Sequence, residues 1–362
     1  MKVALVCDWL TNVGGAEKVL LELHKLYPEA PIYTSKYDKK GIDWFLDADV
    51  RTGWLQIFPT FCRRFLGPLR QKWFERLDLA EYDLVISVTG AEAKAVKAPN
   101  GRHICYCHVP TQYYWQMYDE YVKNPGFGWL NPLVRVCFKW LVGPLKKADF
   151  RAAQKVDEFV TISEYAKGLI QKYYKREARV VHPPVEIEAF GARDYVDQAS
   201  YYITTSRQVT WKRIDLAVKA CVKLQRKLVV IGEGPEHNSL VKMADSGVEF
   251  LPVMQRDELA EYLRGAKGYL FPSLEPFGIA PVEALAAGCP VIAFGQGGAL
   301  DYVKDGKNGV VFEKQTVSAL VEAMRRFEGL KFDRAKVAQS AAGFSAERFD
   351  SEIRKLIDEN TK

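Results

Sequence analysis

Short apolar runs and amphipathic stretches take turns along this chain. "KVALVCDWL" (2–10) is nearly continuous in apolar residues and predicts a buried strand. "GGAEKVLLELHKLY" (14–27) has apolar residues at 16, 19, 20, 23 and 26, the spacing of one helical face. "APIYTS", "YDLVISVTG" and "RHICYCHVP" read as further strands. "EFVTIS" (158–163) is another, followed by the helix "EYAKGLIQKYY" and the strand "ARVVHPPV", where Pro183 and Pro184 interrupt the pattern. The rhythm then restarts. "SYYITTS" (200–206) and "KLVVIGEG" (227–234) are strands separated by the helical "IDLAVKACVKLQ". "VEFLPV", a helix over 257–265, "GYLFPS" (268–273), the short helix "VEALAAG", "CPVIAF" (289–294) and "NGVVFE" continue it.

Strand-then-helix alternation implies parallel sheets with right-handed crossovers. It predicts two doubly wound α/β domains joined near 184–199. The domains are placed at 1–184 and 199–344. The last segment, 345–362, begins with "SAERFDSEIRKLIDEN", an amphipathic helix with no strand after it.

Length agrees, since 362 residues exceed what one core comfortably holds. With 48% hydrophobic and 27% charged residues, the chain has an ordinary globular composition. A net charge of +6 favours an anionic partner such as a nucleotide or a phospholipid. It falls short of the basicity of a dedicated nucleic-acid binder, so no nucleic-acid partner is expected. The seven cysteines are odd in number, lack a C-x-x-C pair and mostly sit in apolar runs. Buried reduced thiols and a cytoplasmic chain are expected. Asp8 interrupts the first apolar run, so no secretory leader is expected. No uncharged apolar stretch of about 18 residues is present, so no membrane span is expected.

Candidate chemistry gathers at strand ends. In "FPSLEPFGIAPVEALAAGCPVIAF" (271–294), Glu275 and Glu283 flank Phe277, Gly278, Ile279, Ala280 and Pro281. Pro281 suits the first position of a helix, which would place Glu283 in the first turn and leave Glu275 in the loop. Carboxylates accept from hydroxyls and loop amides donate, so the pair suits a polyhydroxylated ligand. "TTSRQVTWKRID" (204–215) puts Arg207 and Lys212 beside a helix start, a natural pyrophosphate site. Gly232 and Gly234 in "VIGEGPE" permit close backbone approach. "WLTNVGGAEKV" opens a helix with Gly14 and Gly15, without the spacing of a dinucleotide fingerprint. His108 stands at a strand end in "YCHVPTQYYW". "DAD" (47–49) reads as a solvated turn, and no histidine pair has zinc spacing.

Two stretches mix cations with large apolar groups. One is 51–77, with Arg51, Arg63, Arg64, Arg70, Lys72 and Arg76 among Trp54, Phe58, Phe61, Phe65, Trp73 and Phe74. The other is "WLNPLVRVCFKWLVGPLKKADFR" (129–151). Either they lie on an anionic membrane surface, or they are amphipathic helices packed on a core.

Taken together, these residues resemble glycosyltransferase family 4, the retaining sugar-nucleotide transferases of GT-B fold. The likeness rests on E-x(7)-E from Glu275 to Glu283, on Arg207 and Lys212 after "ITTSR", on Gly-Gly-Ala-Glu and on "HVP". "CHVPTQYYWQMYDEY" and "FVTISEYAKGLIQKYY" are similar to bacterial mannosyltransferases that build surface polysaccharides. The resemblance implies two Rossmann-like domains facing a cleft, acceptor-binding first and donor-binding second, with the C-terminal helix crossing back to the first. It implies that Arg207 and Lys212 hold the donor pyrophosphate, Glu275 the sugar hydroxyls, and the amides of Phe277, Gly278, Ile279 and Ala280 the sugar and phosphate. Glu283 would grip the ribose, His108 would face the reacting sugar, and Gly14 and Gly15 would lie where donor phosphate meets acceptor.

The expected reaction moves mannose from GDP-mannose to a glycan or lipid-linked glycan in cell-surface polysaccharide synthesis. No cofactor and no metal are expected, and contact with the membrane would be peripheral, at its inner face. A UDP-sugar-dependent transferase of the same family, a GT-B-fold sugar-nucleotide epimerase and a non-catalytic nucleotide-sugar binder are the alternatives.

Overall fold

The computed structural model describes residues 1–60, 66–123, 128, 131–191 and 200–360. Among them the chain clusters into two compact units, Met1–Pro183 with Phe349–Lys362, and Pro184–Arg348. Residues 192–199 of the expected linker lie outside the described residues.

The first unit is built on seven strands: β1 (Val3–Cys7), β2 (Ile32–Thr34), β3 (Val50–Arg51), β4 (Leu84–Thr89), β5 (Arg102–Cys107), β6 (Glu158–Thr161) and β7 (Arg179–Val180). Their order is β3-β2-β1-β4-β5-β6-β7, all parallel. β1 and β4 are buried along their whole length, because helices cover both faces of a parallel sheet. The helix Ala346–Asn360 clusters with this unit from Phe349 onward and buries Phe349, Ile353, Leu356 and Ile357. Phe349 meets Tyr106 edge-on at 5.9 Å, and Glu359 pairs with Arg179 at 2.6 Å.

The second unit has six parallel strands: β8 (Tyr201–Thr205), β9 (Lys227–Ile231), β10 (Val248–Leu251), β11 (Gly268–Phe271), β12 (Val291–Phe294) and β13 (Gly309–Phe312). Their order is β10-β9-β8-β11-β12-β13. Its core centres on Tyr202, Leu228, Val230, Leu270, Ile292 and Phe327.

Both sheets share one logic. The first strand sits in the middle, the next two run to one side, and the fourth returns to the other. Chain direction around the sheet therefore reverses between β1 and β4, and again between β8 and β11. In open α/β sheets ligands bind outside the carboxyl ends of the strands at such a switch point.

Several sequence expectations need correction. The short helix of the second unit runs Ile279–Ala286, so Pro281 is its third residue and Glu283 its fifth. Gly278, at φ 92°, makes the turn, and the helix starts directly after it. Proline is tolerated there because first-turn N–H groups have no partner within the helix. Arg70 is no surface cation: it is 3% exposed and its Nε lies 2.6 Å from Glu92. Cys7, Cys105, Cys107, Cys221 and Cys289 are buried as expected, but Cys137 is exposed. Phe61, Arg63, Arg64 and Phe65 of the first basic stretch, and Trp129 and Leu130 at the start of the second, lie outside the described residues.

Candidate active site

In the second unit, the loop after β8 and the loop after β11 meet at the switch point. Lys212 ends a 3-10 turn over Thr210–Lys212, and its Nζ reaches Glu275 Oε1 at 2.6 Å. Ser273 Oγ donates to the same oxygen at 2.9 Å. The two residues expected to hold phosphate and sugar are thus paired with each other, with side chains 22% and 18% exposed. Arg207 is not drawn into this pair. It is exposed, with its guanidinium 5.7 Å from the centre of the Trp211 ring.

The Glu275 loop is set by backbone. Gly298 N–H donates to the Glu275 carbonyl at 2.9 Å, and Tyr302 Oη donates to the Phe277 carbonyl at 2.7 Å. Phe277 points inward against Tyr302 and Phe344, so only its backbone can serve a ligand. A Cβ on Gly278 would lie 2.7 Å from Phe271 Cζ. The first-turn amides of Ile279 and Ala280 follow at once, at a helix start whose N–H groups have no partner within the helix. Glu283 is half-buried, and it and Glu275 are both close enough to raise the Tyr269 hydroxyl electrostatically, behind the larger effect of burial.

Tyr269 went unnoticed in the sequence because it sits inside an apolar strand. Its hydroxyl bonds Thr205 at the end of β8, which ties the two loops at their base. Gln208 was missed as well. Fully buried, it donates from Nε2 to the Gly232 carbonyl, and its Oε1 meets His237 Nδ1 at 2.9 Å. It fastens the Arg207 loop to the glycine turn after β9.

In the first unit, a cavity of about 330 Å³ opens at the β1/β4 switch point. Asp8, Trp9, Glu17, His108, Gln112 and Tyr113 are among its lining residues. Gly14 and Gly15 stand at the start of the helix Gly15–Leu26, beside Ala16 and Glu17 of that lining. His108 directly follows β5, and its N–H bonds the Thr89 carbonyl at 2.8 Å. Its Nε2 is buried without a hydrogen-bond partner among the described residues. Burial pulls its pKa down to about 4, against a smaller upward pull from Asp8. The imidazole is neutral at physiological pH.

Asp8 organises this end of the sheet. Its carboxylate accepts from Thr89 Oγ1 and from the N–H groups of Gly90, Ala91 and Ala93, at 2.8 to 3.0 Å. A charged residue closing a fully apolar strand was the available signal. Beside it, Glu92 pairs with Arg70 and accepts from Tyr113 Oη, and Arg70 stacks 4.7 Å over Trp9. Of the other sequence candidates, Asp49 of "DAD" is bound to Arg51 at 2.7 Å. Among the described residues, no group of three or more His, Cys, Asp or Glu is placed to hold a metal ion.

A family model described as glycosyl transferases group 1 matches residues 185–343. The D-inositol 3-phosphate glycosyltransferase of Mycobacterium marinum is 31% identical over 76% of this chain and 68% of its own length. The chain belongs to the group 1 glycosyl transferases. Among other members, an alpha-1,3/1,6-mannosyltransferase of Schizosaccharomyces pombe is 25% identical over 98% of this chain and 80% of its own. The match to an uncharacterized glycosyltransferase of Methanocaldococcus jannaschii, 29% identical, spans 49% of that relative's length. HepE of Anabaena, solved in complex with UDP, superposes with a TM-score of 0.74 over 99% of this chain and 100% of its own, at 18% identity. That likeness establishes the GT-B fold for this group 1 glycosyl transferase.

Proposed function

We propose that this chain is a retaining transferase of glycosyltransferase family 4. It moves mannose from GDP-mannose to a glycan or lipid-linked glycan acceptor in cell-surface polysaccharide synthesis, in the cytoplasm at the inner membrane face. The observation that carries the reading is the meeting of Lys212 and Glu275 at the β8/β11 switch point, with the helix that starts at Ile279 following Glu275 in the same loop. A cation, a carboxylate and helix-start amides within one loop cluster match the three parts of a sugar diphosphate. The mannosyltransferase relative aligned over nearly the whole chain supports the choice of sugar.

In this reading the bond between sugar C1 and the phosphate oxygen breaks, and the electron pair leaves with the diphosphate. Arg207 and Lys212 stabilise that anion, which is where electrostatic preorganisation contributes most. Glu275 accepts from sugar hydroxyls and Glu283 from the ribose. The acceptor hydroxyl attacks C1 on the face the phosphate leaves, and its proton passes to the departing phosphate oxygen. His108, held neutral by burial, serves transfer as a hydrogen-bonding group rather than as a charge. The cations and amides supply the positive charge the leaving group needs, so turnover is expected to survive EDTA.

The cavity of the first unit supports an uncharged acceptor sugar. Trp9, Tyr113, Gln112 and Glu17 are among its lining, and no Lys or Arg lines it among the described residues. A phosphorylated polyol would meet like charge there.

Thermal unfolding with GDP, UDP and ADP, each with EDTA and with magnesium, tests the donor. A ligand at a hundred times its Kd adds about 2.7 kcal/mol of stability. A shift with GDP alone, indifferent to EDTA, is expected. A shift with UDP instead discards mannose, and no shift with any nucleotide overturns the donor site.

A further inference from the structure

The helix Asn131–Ala153 is apolar on more than the side it buries through Val142, Ala152 and Ala153. Its apolar residues Leu133, Val136, Cys137, Trp140, Leu141 and Pro144 repeat at i, i+3, i+4, i+7, i+8 and i+11, the period of one helical face. Such a stripe normally packs on the core. Here it faces solvent: Leu133 is 63% exposed, Val136 57%, Trp140 83% and Leu141 54%. Only Val142, Asp149, Ala152 and Ala153 of this helix are buried. A contiguous apolar patch of this kind marks an interaction surface.

The same face turns basic at its C-terminal end. Lys147 and Arg151 are exposed in line with the stripe, and Lys139 flanks it. Just beyond Trp140 lies a groove of about 560 Å³ lined by Trp115, Pro144, Lys146, Lys147, Phe150 and Arg151. Three cations and two aromatic residues line it, with no carboxylate. Lys146 is held there by two rings, its Nζ 5.3 Å from the centre of Trp115 and 4.7 Å from that of Tyr118. The helix has a single carboxylate, Asp149, which is buried and bound to Lys94 at 2.6 Å.

We propose that this helix docks the protein on an anionic phospholipid surface. The stripe from Leu133 to Leu141 enters the acyl boundary, and Lys146, Lys147 and Arg151 take headgroup phosphates in the groove. Charge complementarity selects this occupant: an apolar strip ending in unopposed cations fits an apolar layer bounded by phosphates. No helix among the described residues is long and apolar enough to cross a membrane, so this one lies in the interface. The inference deepens the peripheral-membrane part of the function proposed above.

Flotation of the full chain on vesicles tests it. The chain is expected to float with phosphatidylcholine vesicles containing phosphatidylglycerol, and less so as salt is raised. Flotation should fail with phosphatidylcholine alone. Lys147→Gln with Arg151→Gln should lower partitioning about thirty-fold, from roughly fivefold per basic residue at the surface. Trp140→Ser with Leu133→Ser should abolish flotation with the melting temperature unchanged, since both side chains are exposed. No flotation of the wild type on the anionic vesicles, or flotation of both variants at the wild-type level, overturns the proposal. Nucleotide-induced stabilisation is measured on the same samples. A chain that binds GDP but does not float refutes the docking face alone. One that floats but responds to no nucleotide refutes the donor reading alone.

Discussion

Replacing Glu275 by Gln keeps the shape of the side chain and removes its charge. In the free protein that charge holds Lys212, with Nζ and Oε1 2.6 Å apart. Two unit charges this close attract by several kcal/mol at an effective dielectric of about 20, and desolvation cancels most of that. For a pair this partly buried, a net contribution of about 1–2 kcal/mol remains. A diphosphate that binds Lys212 must first draw it away from Glu275. Glu275→Gln should therefore bind GDP more tightly, by about five- to thirty-fold, while losing most transfer because the sugar hydroxyls keep only a neutral, weaker acceptor. Lys212→Met should lose both. Titration calorimetry with GDP, alongside product formation from GDP-mannose, reads the two effects separately. If Glu275→Gln weakens GDP as much as Lys212→Met does, the carboxylate is not a competitor for the lysine, and the division of roles is wrong.

Other outcomes follow from the same geometry. Asp8→Ala leaves the N–H groups of Gly90 and Ala93 without their acceptor and that of Ala91 with Thr89 Oγ1 alone; urea unfolding should show a loss of about 2–3 kcal/mol, and a loss below about 1 kcal/mol would contradict the role given to Asp8. Gly278→Ala forces a side chain at φ 92° against Phe271, at a cost of about 1–3 kcal/mol and with weakened GDP binding; unchanged stability and binding would show that the turn tolerates a Cβ. His108→Ala should impair transfer more than nucleotide binding. Because burial holds His108 near a pKa of about 4, the rate profile should lack an inflection near 6.5; one that disappears in His108→Gln would refute the neutral assignment. Hydrogen bonding from Arg226, with further bonds from Lys267 and Tyr202 and the charge of Lys267, holds Glu328 at about 2, below its ordinary 4.5. That stability is complete above about pH 4.5 and is lost as pH falls toward 2, a loss of about 1–2 kcal/mol after allowance for solvent screening. Acid titration of Arg226→Met should be flatter through this window.

Strand content was legible because a parallel strand covered on both faces is written as an unbroken apolar run, as in "VALVC" and "LVISVT". Glu275 and Lys212 were legible because charged residues stand out beside such runs. Their ion pair was not, since it joins residues 63 positions apart through the adjacency of β8 and β11. Asp8 was visible only as a break in hydrophobicity, and its use as an acceptor for a loop some 80 residues away depends on β1 lying beside β4. Gln208 and Tyr269 gave no signal, because a buried polar side chain is marked by its partners and not by its own neighbours in sequence. Arg70 misled for the converse reason: a cation among aromatics reads the same whether it faces solvent or Glu92. The helix 131–153 is the clearest limit of periodicity, which reveals that an apolar face exists but not what it faces.

Asp149 ends that helix in a buried knot, bonded to Lys94, Thr111, Trp115 and Tyr174. Thr111 and Trp115 belong to the loop that runs on from His108 past Gln112 and Tyr113. The outward helix and the cavity loop are therefore heritable as one cassette. A chimera that exchanges residues 108–153 between relatives to change acceptor preference must carry the residues at 94 and 174 with it. Exchanging the loop alone would strip two of the donors, Thr111 and Trp115, from the buried Asp149–Lys94 pair, so variation in what the cavity accepts and variation in where the protein sits are bound to travel together.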